Sequence, residues 1–168
     1  FRGADNPVDM VSWYDSQKFL AMLGERVKGV DVRLPTEAEW EYACRAGSTN
    51  EFSYGDDEDT LEQYAWFRSN SGGTTHPVGT KKPNAWGLYD MHGNVWEWFS
   101  DRFGPYGSEP ATDPVGPATG PRVGRGGSWS SLPKECRSAL RYCYVSGYGD
   151  YWPGFRVVAV AKGVSEDR

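Results

Sequence analysis

Residues 87–98 read GLYDMHGNVWEW, and no other part of the chain is as informative. Two carboxylates, Asp90 and Glu97, stand on either side of a glycine turn, and large aromatic residues flank them. Carboxylate oxygens and backbone carbonyls are the ligands that a hard cation such as calcium prefers. The stretch therefore combines aromatic anchors for a core with the donor atoms of a candidate ion site.

Composition limits the classes of function. The 168 residues suffice for one domain with its own core. The formal net charge of −5 argues against a nucleic-acid partner, because phosphate backbones are bound through basic surfaces. No apolar run approaches the ~20 residues of a membrane helix, so we expect no direct membrane insertion. The 21 glycines and 11 prolines, with 15% aromatic residues, predict a loop-rich domain with short strands rather than a helical bundle.

Local signals place two helices. The first is predicted to begin after the N-cap Ser12, with Asp15 in its first turn, and to end at Gly24. The second begins after Thr36, which forms a capping box with Glu39. Strand-like patterns follow at residues 30–34, 122–125, 136–141 and 155–160. Residues 103–121 are rich in Pro, Gly and Thr, which predicts a long loop.

Four segments together resemble one family. They are residues 7–15, residues 33–43 (RLPTEAEWEYA), residues 87–98, and RGGSW at 125–129 leading to GFR at 154–156. In this order they resemble the formylglycine-generating-enzyme or sulfatase-modifying-factor family. The resemblance implies a C-type-lectin-like α+β fold with two main helices, short strands and much irregular structure. We expect a single domain over residues 1–160, without the family's N-terminal strands, and a polar tail over residues 161–168.

The family's metal pattern matches this chain at one place. By resemblance, Asp90 and Glu97 give side-chain oxygens to a structural calcium ion, and Gly93 and Val95 give backbone carbonyls. The alternative is that Asp90 caps the turn while Glu97 pairs with an arginine, without an ion.

The catalytic pattern of the family is not matched. Its oxidases use a cysteine pair that holds copper, between the GGS turn and the following arginine-rich strand. Residues 130–135 contain no cysteine here, and Cys136 and Cys143 stand in the wrong register. The iron-dependent relatives need a histidine cluster, whereas this chain has only His76 and His92, far apart. We therefore expect a non-catalytic protein without copper or iron, and an oxidase acting on a peptide cysteine stays the alternative.

Residues 142–151 have the composition of a binding loop, since Tyr, Ser and Gly dominate. This arrangement is similar to the variable proteins of diversity-generating retroelements, in which adenines of a template are randomised. The resemblance implies a diversified face that binds a protein or other macromolecule. The predicted face comprises Ser130, Ser131, Leu132, Lys134, Glu135, Tyr142, Tyr144, Ser146, Tyr148, Asp150 and Tyr151. The alternative is an ordinary surface loop packed by its own tyrosines.

The sequence leaves the setting of the protein open. The first residue is Phe1 rather than Met, so a cell-surface or secreted location is compatible with removal of a leader. The three cysteines allow one disulfide at most and do not fix the redox compartment. Nothing in the sequence indicates an oligomeric state.

Overall fold

A computed structural model describes residues 3–147 and 153–163 and confirms the α+β architecture. In chain order the helices and strands are α1 (Trp13–Arg26), β1 (Val30–Arg33), α2 (Glu37–Arg45), β2 (Trp96–Arg102), β3 (Arg122–Arg125), β4 (Tyr142–Tyr144), β5 (Pro153–Gly154) and β6 (Val158–Ala161). Two 3-10 helices occupy Glu58–Gln63 and Pro133–Cys136. In these ranges no helix is both long and apolar enough to cross a membrane.

The strands form two small sheets. The larger has the order β4-β3-β2-β5, in which β3 is antiparallel to both neighbours and β5 runs parallel to β2. The smaller joins β1 to β6, with Val30 opposite Ala161. Ala161 therefore belongs to a strand rather than to the polar tail predicted to begin there, and residues 164–168 lie outside the described part of the chain.

Both helices begin at the predicted caps. The Ser12 side chain accepts a hydrogen bond from the Asp15 backbone N–H, and the Asp15 carboxylate accepts one from the Ser12 N–H at 3.1 Å. The same box at Thr36 starts α2. The predicted end at Gly24 is wrong, because α1 continues to Arg26. A glycine ends a helix only where the chain turns into the left-handed conformation, and here the backbone stays helical beyond it.

The strand predictions are only partly right. Residues 122–125 form β3, and residues 30–33 form β1. Residues 136–141 are not a strand: a 3-10 helix ends at Cys136, and β4 begins only at Tyr142. Between them Ser138 is buried and its N–H donates to the Glu51 carbonyl, so this backbone is bonded to a loop instead of a strand. In the last segment, β6 begins at Val158.

The core consists of three apolar clusters around Trp40, Phe52 and Trp98. Trp40 of α2 packs edge-on against Phe99 of β2, with 5.8 Å between ring centroids. The Trp98 indole N–H donates to the Val11 carbonyl at 2.8 Å. Strand β2 therefore holds α2 on one face and the N-terminal segment on the other.

Candidate functional site

A rigid turn separates Asp90 from Glu97. The Gly93 N–H donates to the Gly126 carbonyl at 2.7 Å, and Gly93 has a φ of +77°. A Cβ added to Gly93 would lie 2.3 Å from the Trp66 carbonyl oxygen, so only glycine fits this close approach. The turn thus holds the two carboxylates in fixed positions.

Both oxygens of the buried Glu97 carboxylate are already bonded. Arg156 donates from Nε to Oε2 and from Nη2 to Oε1, each at 2.6 Å, and the Trp40 indole N–H donates to Oε2 at 2.8 Å. Arg156 Nη2 also lies 3.3 Å from the carbonyl oxygens of Tyr89 and Asp90. A guanidinium therefore supplies positive charge at the place predicted for a cation.

Asp90 is less fully bonded. Its Oδ2 accepts the Gly79 N–H at 2.8 Å, whereas its Oδ1 is buried without a hydrogen-bond partner. Burial raises the pKa of Asp90 above its ordinary value. One Asp90 oxygen is thus available to an ion, whereas both Glu97 oxygens accept from Arg156, whose positive charge opposes a cation at this place. As arranged, the donors do not fit calcium, and the calcium site of Asp90, Gly93, Val95 and Glu97 stays a prediction that requires Arg156 to move.

Tyr142 and Tyr144 form an aromatic cluster with β2. The Tyr142 ring centroid lies 5.6 Å from that of Trp96 and 4.9 Å from that of Tyr144, which in turn lies 5.4 Å from the Trp98 ring. A Cβ added to Gly124 would lie 2.7 Å from the Tyr144 ring, so this glycine makes room for it. Tyr144 is half-buried and packs on the core, whereas Tyr142 is 52% exposed.

The other predicted contact segment is a tight turn followed by a 3-10 helix. Ser131 is buried, and its carbonyl accepts the Arg68 N–H at 3.0 Å, so it supports the turn. The Glu135 carboxylate accepts the Leu132 N–H at 2.7 Å and caps the 3-10 helix. Leu132 and Lys134 are exposed. Of this segment, those two side chains present the most surface to a partner.

The predicted face thus falls into two described groups. One is on β4 and the residues after it: Tyr142, Tyr144 and Ser146. The Ser146 carbonyl accepts the Trp13 N–H at 3.2 Å and ties this segment to the start of α1. The other group comprises Ser130, Ser131, Leu132, Lys134 and Glu135. Tyr148, Asp150 and Tyr151 lie outside the described residues.

Two of the three cysteines and His92 are buried in the fold. Cys44, Cys136 and Cys143 are free thiols; the first two are buried, and Cys143 is exposed on β4. Burial raises the pKa of Cys44 to about 12 and also raises that of Cys136. Burial lowers the pKa of His92 to about 4. Because His92 Nε2 accepts the Ser53 N–H, its Nδ1 carries the proton and donates to the Cys136 carbonyl at 2.8 Å. Cys44, Cys136 and His92 are therefore buried and uncharged at neutral pH.

A buried ion-pair network was not predicted. Glu37 of α2 accepts from Arg125 Nε and from Arg141 Nη2, each at 2.8 Å, and Arg125 Nη2 lies 2.8 Å from Glu41 Oε2. The Tyr106 hydroxyl accepts from Arg125 Nη2 at 2.8 Å. The sequence feature that could have indicated the network is the pair Glu37 and Glu41, one helical turn apart. Without knowledge of their partners, such a pair is typical of a solvated helix face.

The chain is similar in sequence to known proteins of one family. The family model described as "Sulfatase-modifying factor enzyme 1-like domain" matches residues 2–161. The formylglycine-generating enzyme of Streptomyces coelicolor is 39% identical over 147 residues, which are 79% of this chain and 45% of that enzyme. The serine/threonine-protein kinase pkn1 of Chlamydia caviae is 39% identical over 166 residues, which are 96% of this chain and 25% of that protein. The chain spans less than half the length of either relative.

Solved structures agree with this match. Treponema denticola variable protein 1 is similar with a TM-score of 0.84 and 32% identity, over 94% of this chain and 72% of that chain. PvdO from Pseudomonas aeruginosa has the same TM-score of 0.84 and 32% identity, over 96% of this chain and 64% of that one. With its capped helices, its Gly93 turn and a family match over residues 2–161, the chain belongs to the sulfatase-modifying-factor family and has its C-type-lectin-like fold.

Proposed function

We propose that this chain is a non-catalytic binding domain that holds a protein or other macromolecule on its aromatic face. We define the aromatic face as Tyr142, with Tyr144 and Trp96 beneath it, together with Ser146 and the exposed side chains of Leu132 and Lys134. One observation carries the proposal: Tyr142 is 52% exposed while its ring rests on two other aromatic rings. Tyrosine is one of the residue types enriched at the hot spots of protein interfaces, because it offers a large, rigid contact area at low entropic cost.

The rings beneath Tyr142 matter because a complex is weakened by the entropy lost when flexible side chains become ordered on binding. A free side chain that is immobilised at an interface costs about 0.5–1.5 kcal/mol. Tyr142 is already packed against Trp96 and Tyr144, and β4 is paired with β3. Part of the ordering is therefore complete before a partner arrives, which favours a recognition role for this side chain.

A diversified face is part of the proposal. Treponema denticola variable protein 1 has a similar structure, which supports a comparable role here. If a retroelement diversifies this chain, the DNA near its gene should contain a near-copy of the segment for residues 125–158, differing mainly at adenines, beside a reverse transcriptase. A gene without such a copy, invariant across related isolates at Leu132, Lys134 and Tyr142, would leave a fixed surface and refute diversification.

Substitutions separate binding from folding on this face. Tyr142→Ala should lower the free energy of unfolding by only about 1 kcal/mol, because its half-exposed ring loses contacts with Trp96 and Tyr144 but little buried area. Tyr144→Ala should destabilise by about 2 kcal/mol or more, because its ring packs on Trp98 and Trp96. Urea titration measures both. If Tyr142→Ala unfolds the domain, its ring is core and the aromatic face is not a binding surface.

Binding itself is tested with a captured partner. The immobilised domain is used to capture a protein from the source cells, and that protein is then purified. Calorimetry measures the Kd of its complex with the wild-type domain and with each variant. Tyr142→Ala should raise Kd about tenfold or more, equivalent to about 1.4 kcal/mol. Tyr89→Ala is the matched control, since Tyr89 is similarly exposed but belongs to the turn before β2. Equal effects of both variants would contradict the assignment.

An oxidase is the second candidate, favoured by the 39% identity to the formylglycine-generating enzyme of Streptomyces coelicolor. It would need Cys136 and Cys143 to bind copper together, and Cys136 is buried among apolar residues. Cu(I) titration of the wild type and of Cys136→Ser and Cys143→Ser tests this directly. Oxygen-dependent conversion of a cysteine-containing peptide by the copper-loaded wild type, lost in both variants, would overturn the non-catalytic proposal.

A further inference from the structure

A cavity of about 560 Å³ opens between α2 and the loop of residues 103–117. Its size lies within the roughly 300–1,000 Å³ of pockets that hold small molecules. None of its lining residues belongs to the aromatic face, so it is a separate feature of the fold.

The polar floor of this cavity is electrically balanced. Its acidic side chains are Glu37, Glu41 and Asp101, and its basic side chains are Arg45, Arg125 and Arg141. The acids of α2 are paired with these arginines: Glu37 with Arg125 and Arg141, and Glu41 with Arg45 and Arg125. A charged ligand would therefore face no uncompensated opposite charge and would lose its own hydration.

Asp101 is also fully engaged. Its Oδ2 accepts the Glu37 N–H at 2.8 Å, and its Oδ1 accepts the Gly116 N–H at 3.0 Å. The second bond ties the loop directly to β2. A Cβ on Gly116 would lie 2.1 Å from the Arg102 carbonyl oxygen, so the loop approaches the strand as closely as only glycine permits. The cavity wall is thus pre-formed rather than assembled around a ligand.

The walls and mouth are apolar. Pro105, Pro114 and Val115 contribute from the loop, and Tyr42 and Tyr106 stand at the mouth with large exposed fractions, 69% and 65%. Val115 is 75% exposed. Large apolar side chains gathered at the mouth of a single cavity mark a binding site more often than isolated exposed residues do.

We propose that this cavity binds a small, neutral aromatic molecule. The cavity is too large to be filled by one protein side chain, and its balanced charges disfavour the binding of an ion. The Arg141 guanidinium already packs against the rings of Phe103 and Tyr106, so the aromatic surface open to a ligand is that of the exposed lining residues Tyr42 and Tyr106. This inference is independent of the proposed function, because the two sites share no residue.

Three probes of equal size test the charge preference: benzamide, benzoate and benzylamine. Each is titrated into the isotope-labelled protein, and backbone amide shifts are followed by NMR. Benzamide should shift the amides of Gly104, Gly107 and Val115, which line the cavity. The two charged probes should bind about tenfold more weakly, a difference of about 1.4 kcal/mol.

Two variants locate the site. Ala38→Leu fills the cavity from α2 and should weaken benzamide binding about tenfold or more, whereas Ala21→Leu on the exposed side of α1 should leave it unchanged. If Ala38→Leu fails to fold, Val115→Asp replaces it, since Val115 is exposed and a new carboxylate upsets the charge balance. Unchanged binding in the cavity variant, equal binding of the charged probes, or shifts centred on Tyr142 would each overturn the proposal. Loss of partner binding in Tyr142→Ala with intact benzamide binding separates this site from the aromatic face.

Discussion

Replacing Glu37 by Gln should destabilise the domain more than any surface substitution. The Glu37 side chain is 8% exposed and that of its partner Arg125 is 1% exposed. Removing one partner of a buried ion pair costs about 3–5 kcal/mol, because the remaining charge stays buried and unpaired. Arg141 would lose its carboxylate partner as well. Because Arg125 keeps its bond to Glu41, we expect a loss near the lower end of this range, about 3 kcal/mol, of a total stability that in domains of this size is about 5–15 kcal/mol.

Urea titration monitored by tryptophan fluorescence measures this loss through the linear dependence of the unfolding free energy on denaturant. Glu51→Gln is the matched control, since Glu51 pairs with Arg137 at 3.2 Å but their side chains are 49% and 38% exposed. Such exposed pairs contribute about 0.2–1 kcal/mol. If Glu37→Gln and Glu51→Gln lose equal stability, the network does not hold α2 on β3, and the reasoning from burial is refuted.

Three further outcomes follow from buried groups. Because burial lowers the pKa of His92 from 6.5 to about 4, the unfolded state binds more protons between these values. The free energy of unfolding should therefore fall by up to about 3 kcal/mol as the pH is lowered through this window. In His92→Gln the urea midpoint should depend less on pH than in the wild type. Iodoacetamide should modify Cys143 in the folded protein but Cys44 and Cys136 only after unfolding, as mass spectrometry of the peptides will show; equal labelling of all three thiols would contradict their assigned burial. Arg156→Ala should lower Tm, and calcium should restore the variant more than it raises the wild type; a chelator that lowers the wild-type Tm would show instead that a metal ion already stabilises the wild type with Arg156 present.

Helix starts were predictable because their physics is local. The capping boxes at Ser12 and Thr36 join atoms of residues that are three positions apart, so the local sequence is enough to predict these hydrogen bonds. The family resemblance added the order of segments and the fold class. It could do so because its motifs, such as the Gly93 turn, are places where the backbone accepts a single residue type.

Features that depend on distant residues were not predictable from the sequence. Strand β2 is buried at nearly every position, so it has no alternating pattern that would reveal it. The bond from Arg125 to Glu37 joins residues 88 apart, and that from Arg156 to Glu97 joins residues 59 apart. For Glu97 the sequence left open an ion or a pairing with an arginine, and only the fold identifies Arg156 as its partner.

Strands β4 and β5 lie at opposite edges of the four-stranded sheet, and they bracket residues 145–152. In a hairpin the two stems pair with each other, and an inserted residue shifts their register. Here β4 pairs with β3 and β5 pairs with β2, so neither register depends on how many residues join them. The edges stand roughly 14 Å apart, three strand spacings of about 4.8 Å. We therefore expect the sheet to tolerate insertions here, and deletions that leave enough residues to span this distance, so that length as well as composition is open to evolutionary change.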